Sequence, residues 1–172
     1  MHVELHCFVE DREAETMLRE LISRHDEAAA ILPRIGISAV GASNVVTMLG
    51  KLSVDKKLPY KSIAFLDGDS MPSQGCTLLP GTEAPEKVVF KALKEKNWAQ
   101  LSDRFGLGAG GLYADLDDVL LNPEHHQWTT LIGDKTRKSR HHVWETMTSE
   151  WSKLCLGKPE VDRVVNAIKA AL

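Results

Sequence analysis

Three short hydrophobic runs, each followed by a different local pattern, constrain this chain more than any other feature. From Val3 to Glu10 the residues alternate, with Val3, Leu5, Cys7 and Val9 on one side and His2, Glu4, His6 and Glu10 on the other. Only Phe8 breaks the polar series, so the segment reads as a half-covered strand ending in an acid. Asp11 stands where it can cap a helix, and Ala14, Leu18, Leu21 and His25 make one stripe of it, widened by Met17 and Ile22. Arg34 to Gly41 reads as a second strand, followed by a helix with Val45, Val46, Leu49 and Leu52 inward. The third run, Ser62 to Leu66, is closed by Asp67, Gly68 and Asp69. A β-α-β-α-β order with these spacings implies a parallel sheet joined by right-handed crossovers.

Beyond Ser70 the pattern changes. Met71 to Gly75 reads as a turn and Cys76 to Gly81 as a short fourth strand. Pro85 then opens a helix that buries Val88, Val89, Ala92 and Leu93. Asn97 to Asn122 is helical in pattern, with a flexible break at Gly106 to Gly111, and His125 to Gly133 fits no single period. Arg137 to Leu156 predicts a long amphipathic helix using Val143, Met147, Trp151 and Leu154. Gly157 ends it, and Pro159 begins a last helix with Val161, Val164, Val165 and Ile168. Trp98, Trp128, Trp144 and Trp151 fall at or near helical spacing and are assigned to the core. The expected class is α/β, a Rossmann-like parallel sheet of about four strands with a helical C-terminal half. A chain of 172 residues fits a single domain, here a core of about 1–96 and a helical extension of about 97–172. Such a domain buries roughly 70% of its unfolded surface.

Charge excludes little. The net charge of -3 is no sign of a nucleic-acid binder, but Lys135 to Arg140 is locally basic and two histidines follow it. Cys7, Cys76 and Cys155 are odd in number and widely spaced, as expected of free thiols in a reducing cytosol. No apolar run approaches ~18 residues, and the first residues do not form a signal peptide, so a soluble cytoplasmic protein is expected, with no membrane partner.

Asp67 and Asp69, two apart on a strand, point the same way. With Glu10 at the end of the first strand they would put three carboxylates at one sheet edge. That is an oxygen-rich site for Mg²⁺ or Mn²⁺ rather than for zinc. The alternative is an ordinary solvated loop, since Asp is common after strands. The pairs His125-His126 and His141-His142 are read differently. Neighbours on a helix point about 100° apart and do not chelate one ion together, so these histidines are expected at the surface or on DNA phosphates. His2 and His6 suggest no site either.

The run Phe8-Val9-Glu10-Asp11 closing a first strand, Gly41-Ala42-Ser43 after the second, and Leu66-Asp67-Gly68-Asp69 after the third together resemble a Toprim domain, the catalytic module of topoisomerases, bacterial primases and several nucleases. Its signature, one Glu after strand one and an Asp-x-Asp after strand three, is matched by Glu10, Asp67 and Asp69. The segment Leu78 to Leu93, with its Leu-Pro-Gly turn and Pro-Glu helix start, is similar to the segment after the Asp pair in the OLD (overcoming lysogenization defect) family of nucleases. The resemblance covers the first hundred or so residues well and the rest loosely. It implies a Mg²⁺- or Mn²⁺-dependent DNA endonuclease of the kind found in phage defence, using two ions. It also implies an ABC-type ATPase partner, in the full-length protein or in trans, because no Gly-x-x-x-x-Gly-Lys-Ser/Thr occurs here. A homodimer is a further expectation.

The family's further acid, four residues after the first Glu, is Ala14 here, flanked by Glu13 and Glu15. Glu13 is the choice for a second-metal ligand, and Glu86 is another. Either also fits as a charge complementing a helix N-terminus. For the family's C-terminal lysine near the metals, Lys138 and Lys135 are available, and Arg137, Lys138 and Arg140 are the expected DNA contacts; the tract is equally readable as a solvated helix start. A topoisomerase would need an attacking tyrosine. Only Tyr60 and Tyr113 exist, in no recognisable catalytic context, which favours hydrolysis.

Two other readings stay open. One is a non-catalytic Toprim scaffold. The other is a receiver domain of response regulators, which Glu10-Asp11, Asp67 and the late Lys158-Pro159 resemble. Asp67 would then accept the phosphoryl group and Lys158 would be the signalling lysine. Against it, Met71-Pro72 lies one residue too far from Asp67, Lys158 lies much too far along the chain, and the Leu-Pro-Gly segment has no place there.

Overall fold

The computed structural model describes residues 2–172 and divides the chain into two compact units, one running to Pro85 and taking in Leu156–Leu172, the other Glu86–Cys155.

The first unit is an α/β Rossmann-like fold around a four-stranded, all-parallel sheet. Its elements are β1 (Leu5–Val9), α1 (Arg12–Ser23), the short α2 (Ala28–Ile31), β2 (Ile35–Ala39), α3 (Ser43–Val54), β3 (Ser62–Leu66) and β4 (Cys76–Leu78). The strands lie in the order β2-β1-β3-β4, with Cys7 opposite Ile37 and Ile63, and Phe65 opposite Thr77. Strand alternation splits the apolar side chains between two faces. Phe8, Ala64 and Leu66 pack with Val46 and Leu49 of α3. Leu5, Cys7, Val9 and Phe65, also buried, point the other way, the side on which α1 carries its buried stripe Ala14, Met17, Leu18, Leu21 and Ile22. The Asp11 side chain caps α1 as its sequence suggests, accepting from the Ala14 N–H at 2.8 Å.

The second unit is helical: α4 (Pro85–Glu95, of which Pro85 belongs to the first unit), α5 (Leu101–Phe105), α6 (Ala109–Val119), α7 (Trp128–Thr136) and α8 (Arg140–Leu154). All four tryptophans are buried, and Phe90 meets the rings of Trp98 and Trp128 at 6.4 and 5.2 Å. Buried Glu150 is matched by Arg104 at 3.0 Å. The helix expected from Arg137 starts later. Arg137 takes a left-handed backbone (φ 57°), and the Lys138 N–H returns to the Gly133 carbonyl at 3.0 Å, closing α7 in a Schellman-type turn. Ser139 then caps α8 through the His142 N–H. A Cβ on Gly133 would lie 2.6 Å from the Lys138 carbonyl oxygen, so only glycine allows this return.

The last helix, α9 (Lys158–Ala171), belongs to the first unit and buries Val161, Val164, Val165 and Ile168. Asp162 meets His25 at 3.7 Å, Lys169 pairs with Glu27, and Arg163 donates to the Leu78 carbonyl at 2.8 Å. No helix among the described residues is long and apolar enough to cross a membrane.

Candidate metal centre

The strand order reverses between β1 and β3. From β1 the chain steps out to β2, then crosses back over β1 to reach β3. In open α/β sheets the crevice beyond the carboxyl ends of strands at such a switch point is where ligands bind. Glu10 is the first residue after β1, and Asp67 the first after β3. Local structure fixes both. The Gly41 N–H bonds the Glu10 carbonyl at 2.9 Å, tying it to the end of β2. The Asp67 carbonyl accepts the Ser70 N–H at 3.0 Å, which folds residues 67–70 into a tight turn.

That turn accounts for two sequence motifs together. A Cβ on Gly68 would lie 2.3 Å from the Gly81 carbonyl oxygen, so the glycine between the two aspartates lets the Leu-Pro-Gly loop pass directly against it. The Leu79 N–H bonds the Leu66 carbonyl at 2.8 Å on the same path.

Asp67 is buried at 8% exposure, Glu10 is half-buried and Asp69 is exposed. Burial is the main force pushing the Glu10 carboxyl above its ordinary value. A backbone hydrogen bond from Asp67 opposes it, the charges of Asp11 and Asp69 add to it, and the Ser70 hydroxyl, donating at 3.4 Å, opposes it again. A carboxyl lifted by burial and by neighbouring acids is a condition that a hard cation relieves. The donor set is all oxygen, as Mg²⁺ or Mn²⁺ requires. Its ligand atoms are not gathered within 4.8 Å of one another, so enclosing an ion takes side-chain rotation, for which exposed Asp69 has room. Glu13 sits half-buried in the first turn of α1, three residues after Glu10. Beside the site runs an open cleft of about 500 Å³, lined by Ser43, Asn44, Thr47, Met48 and Lys51 of α3 together with Leu66, Ser70 and Met71.

Most of the other expected site residues, Lys135, Arg137, Lys138 and Arg140, belong to the second unit. The Lys135 ammonium is held by Asp118 at 3.3 Å and Asp115 at 3.6 Å, and the bond to Asp118 is the main cause of its raised pKa. Arg137 and Arg140 are exposed and Lys138 half-buried. Lys158, the receiver reading's lysine, pairs with Asp162 one turn along its own helix. The Tyr113 hydroxyl donates to the Ala99 carbonyl, and the Tyr60 ring lies against His6.

Glu86 also lies in the second unit, and its company is unexpected. Among the described residues, Glu86, His125 and His126 form the one set of three ligating side chains whose atoms all lie within 4.8 Å. The expectation that adjacent histidines cannot share an ion assumed a helix. His125–Gln127 instead form a 3₁₀ turn, and the two rings sit 4.0 Å apart. Sequence reading had one available clue, the Asn122-Pro123 pair just upstream, which favours a turn there over a helix. No protein-family model, curated protein or solved structure matches the chain.

Proposed function

We propose that this chain is a Mg²⁺- or Mn²⁺-dependent DNA endonuclease domain of Toprim type, resembling the OLD family and working with an ABC-type ATPase. The observation that carries the reading is the position of Glu10 and the Asp67-Gly68-Asp69 turn on adjacent parallel strands, either side of the switch point. The cleft beside them supports it, since hydroxyls, an amide and Lys51 suit a phosphate backbone.

Two bound ions would supply charge for the scissile phosphate and an activated water. The residues' part is to hold them. Asp67, fixed and buried, anchors the site. Glu10 and Asp69 would complete the set around one ion, and Glu13 would extend it toward a second. Arg137, Lys138 and Arg140 are assigned to DNA phosphates. Lys135 is a poorer candidate because Asp115 and Asp118 already hold it.

Incubation with supercoiled plasmid and Mg²⁺ or Mn²⁺ tests the reading. Nicking is expected from the wild type and none from Asp67→Asn. Plasmid left intact by a protein that also binds no Mn²⁺ overturns the proposal. Uptake of phosphate at Asp67 from acetyl phosphate would replace it with the receiver reading.

A further inference from the structure

The side chain of Glu86 is 4% exposed, yet it meets the Nδ1 atom of His126, a ring 61% exposed, at 3.2 Å. A buried carboxylate is expensive to leave without a positive partner. Here its surroundings offer two imidazoles, and their positions are braced. The Trp128 indole N–H donates to the Asn122 carbonyl at 2.8 Å, and the Asn122 side chain accepts the Glu124 N–H at 2.9 Å. The Glu124 carboxylate accepts the His126 N–H at 3.4 Å, and the His125 ring lies 6.2 Å from that of Trp128. The 3₁₀ turn carrying both histidines is thus anchored at each end, while Glu86 is fixed in the first turn of α4.

We propose that Glu86, His125 and His126 form a two-histidine, one-carboxylate site for a late first-row divalent cation, Zn²⁺ foremost. Ligands about 2.0–2.1 Å from tetrahedral zinc are about 3.3 Å apart, the separation that His126 Nδ1 and Glu86 Oε1 already have. The third ligand atom, within 4.8 Å of both, needs only a small side-chain movement to join them. Imidazole nitrogen selects zinc-like ions over Mg²⁺ and Mn²⁺, which sets this site apart in chemistry from the all-oxygen set at Glu10, Asp67 and Asp69. The His125 ring stands 4.0 Å from that of His126; two imidazolium rings at that distance would repel, whereas two neutral imidazoles on one cation would not. With three protein ligands and His126 open to solvent, a fourth position is left for water or another small ligand.

The test is metal binding by the full chain, stripped with chelator and titrated with Zn²⁺ in the presence of excess Mg²⁺ to occupy oxygen sites. One equivalent of Zn²⁺ per chain is expected. His125→Ala and His126→Ala, both outside the buried core, should each weaken it at least about tenfold, and Glu86→Gln should do the same where it folds. Co²⁺ substituted into the wild type should give a visible absorption band that both histidine variants lose. Less than one equivalent bound, or binding unchanged in either histidine variant, overturns the proposal.

Discussion

At the scale of single residues, the decisive group is Glu10. Burial, and the charges of Asp11 and Asp69, lift its pKa in the folded chain, against the opposing hydrogen bonds from Asp67 and Ser70. The folded state therefore holds this proton more tightly than the unfolded chain does. Ionised Glu10 lowers stability above its raised pKa, and that penalty disappears as pH falls through it. Glu10→Gln should then raise the thermal midpoint at neutral pH by ~1–3 °C while weakening Mn²⁺ binding at least tenfold. A lowered midpoint would show that the carboxylate is a stabilising group, not a strained ligand. Cys7 makes a second case. Burial pushes its thiol up to about 12, so native protein should be alkylated at Cys76 and Cys155 first, and at Cys7 only on unfolding. Mass spectrometry after brief iodoacetamide treatment distinguishes the three, and early modification of Cys7 would contradict its enclosure in the sheet.

At the scale of elements, the turns and caps position the site. Asp11→Ala removes the cap of α1 and should cost about 1 kcal/mol, read as a lower denaturation midpoint. Gly68→Ala sets a methyl group against the Gly81 carbonyl. It should cost about 1–3 kcal/mol and displace the Asp67 turn, so that nicking falls while the far-ultraviolet circular dichroism stays that of a folded chain. Full activity in that variant would mean the Leu-Pro-Gly loop does not hold the turn. These elements also show what a sequence can disclose. Alternation in Val3 to Glu10 and the stripe on α1 are local patterns, and both were legible down to the cap. The start of α8 was not, because the Arg137 turn depends on a close approach between the Gly133 and Lys138 backbones that no periodicity records. The pairing of Glu86 with His125 and His126 was hidden for a similar reason. It joins positions about forty residues apart through a 3₁₀ turn, where helical geometry had been assumed.

At the scale of the whole molecule, α9 returns from the end of the chain to complete the first unit. Its hydrophobic spacing marked it as a helix, but nothing local said which partner it would cover. Burial of Val161, Val164, Val165 and Ile168 amounts to about 6–12 kcal/mol, comparable with the total stability of a domain. Ending the chain at Gly157 should therefore abolish cooperative unfolding of the sheet, seen as loss of slow hydrogen exchange in β1 and β3. Retained protection there would mean that α1 and α3 suffice. Metal binding at the switch point is read from the anomalous diffraction of crystals grown with Mn²⁺. Density bounded by Glu10, Asp67 and Asp69 is expected, and its loss in Asp67→Asn. Crystals with no manganese there, or with manganese only at Glu86, His125 and His126, would contradict metal binding at the switch point.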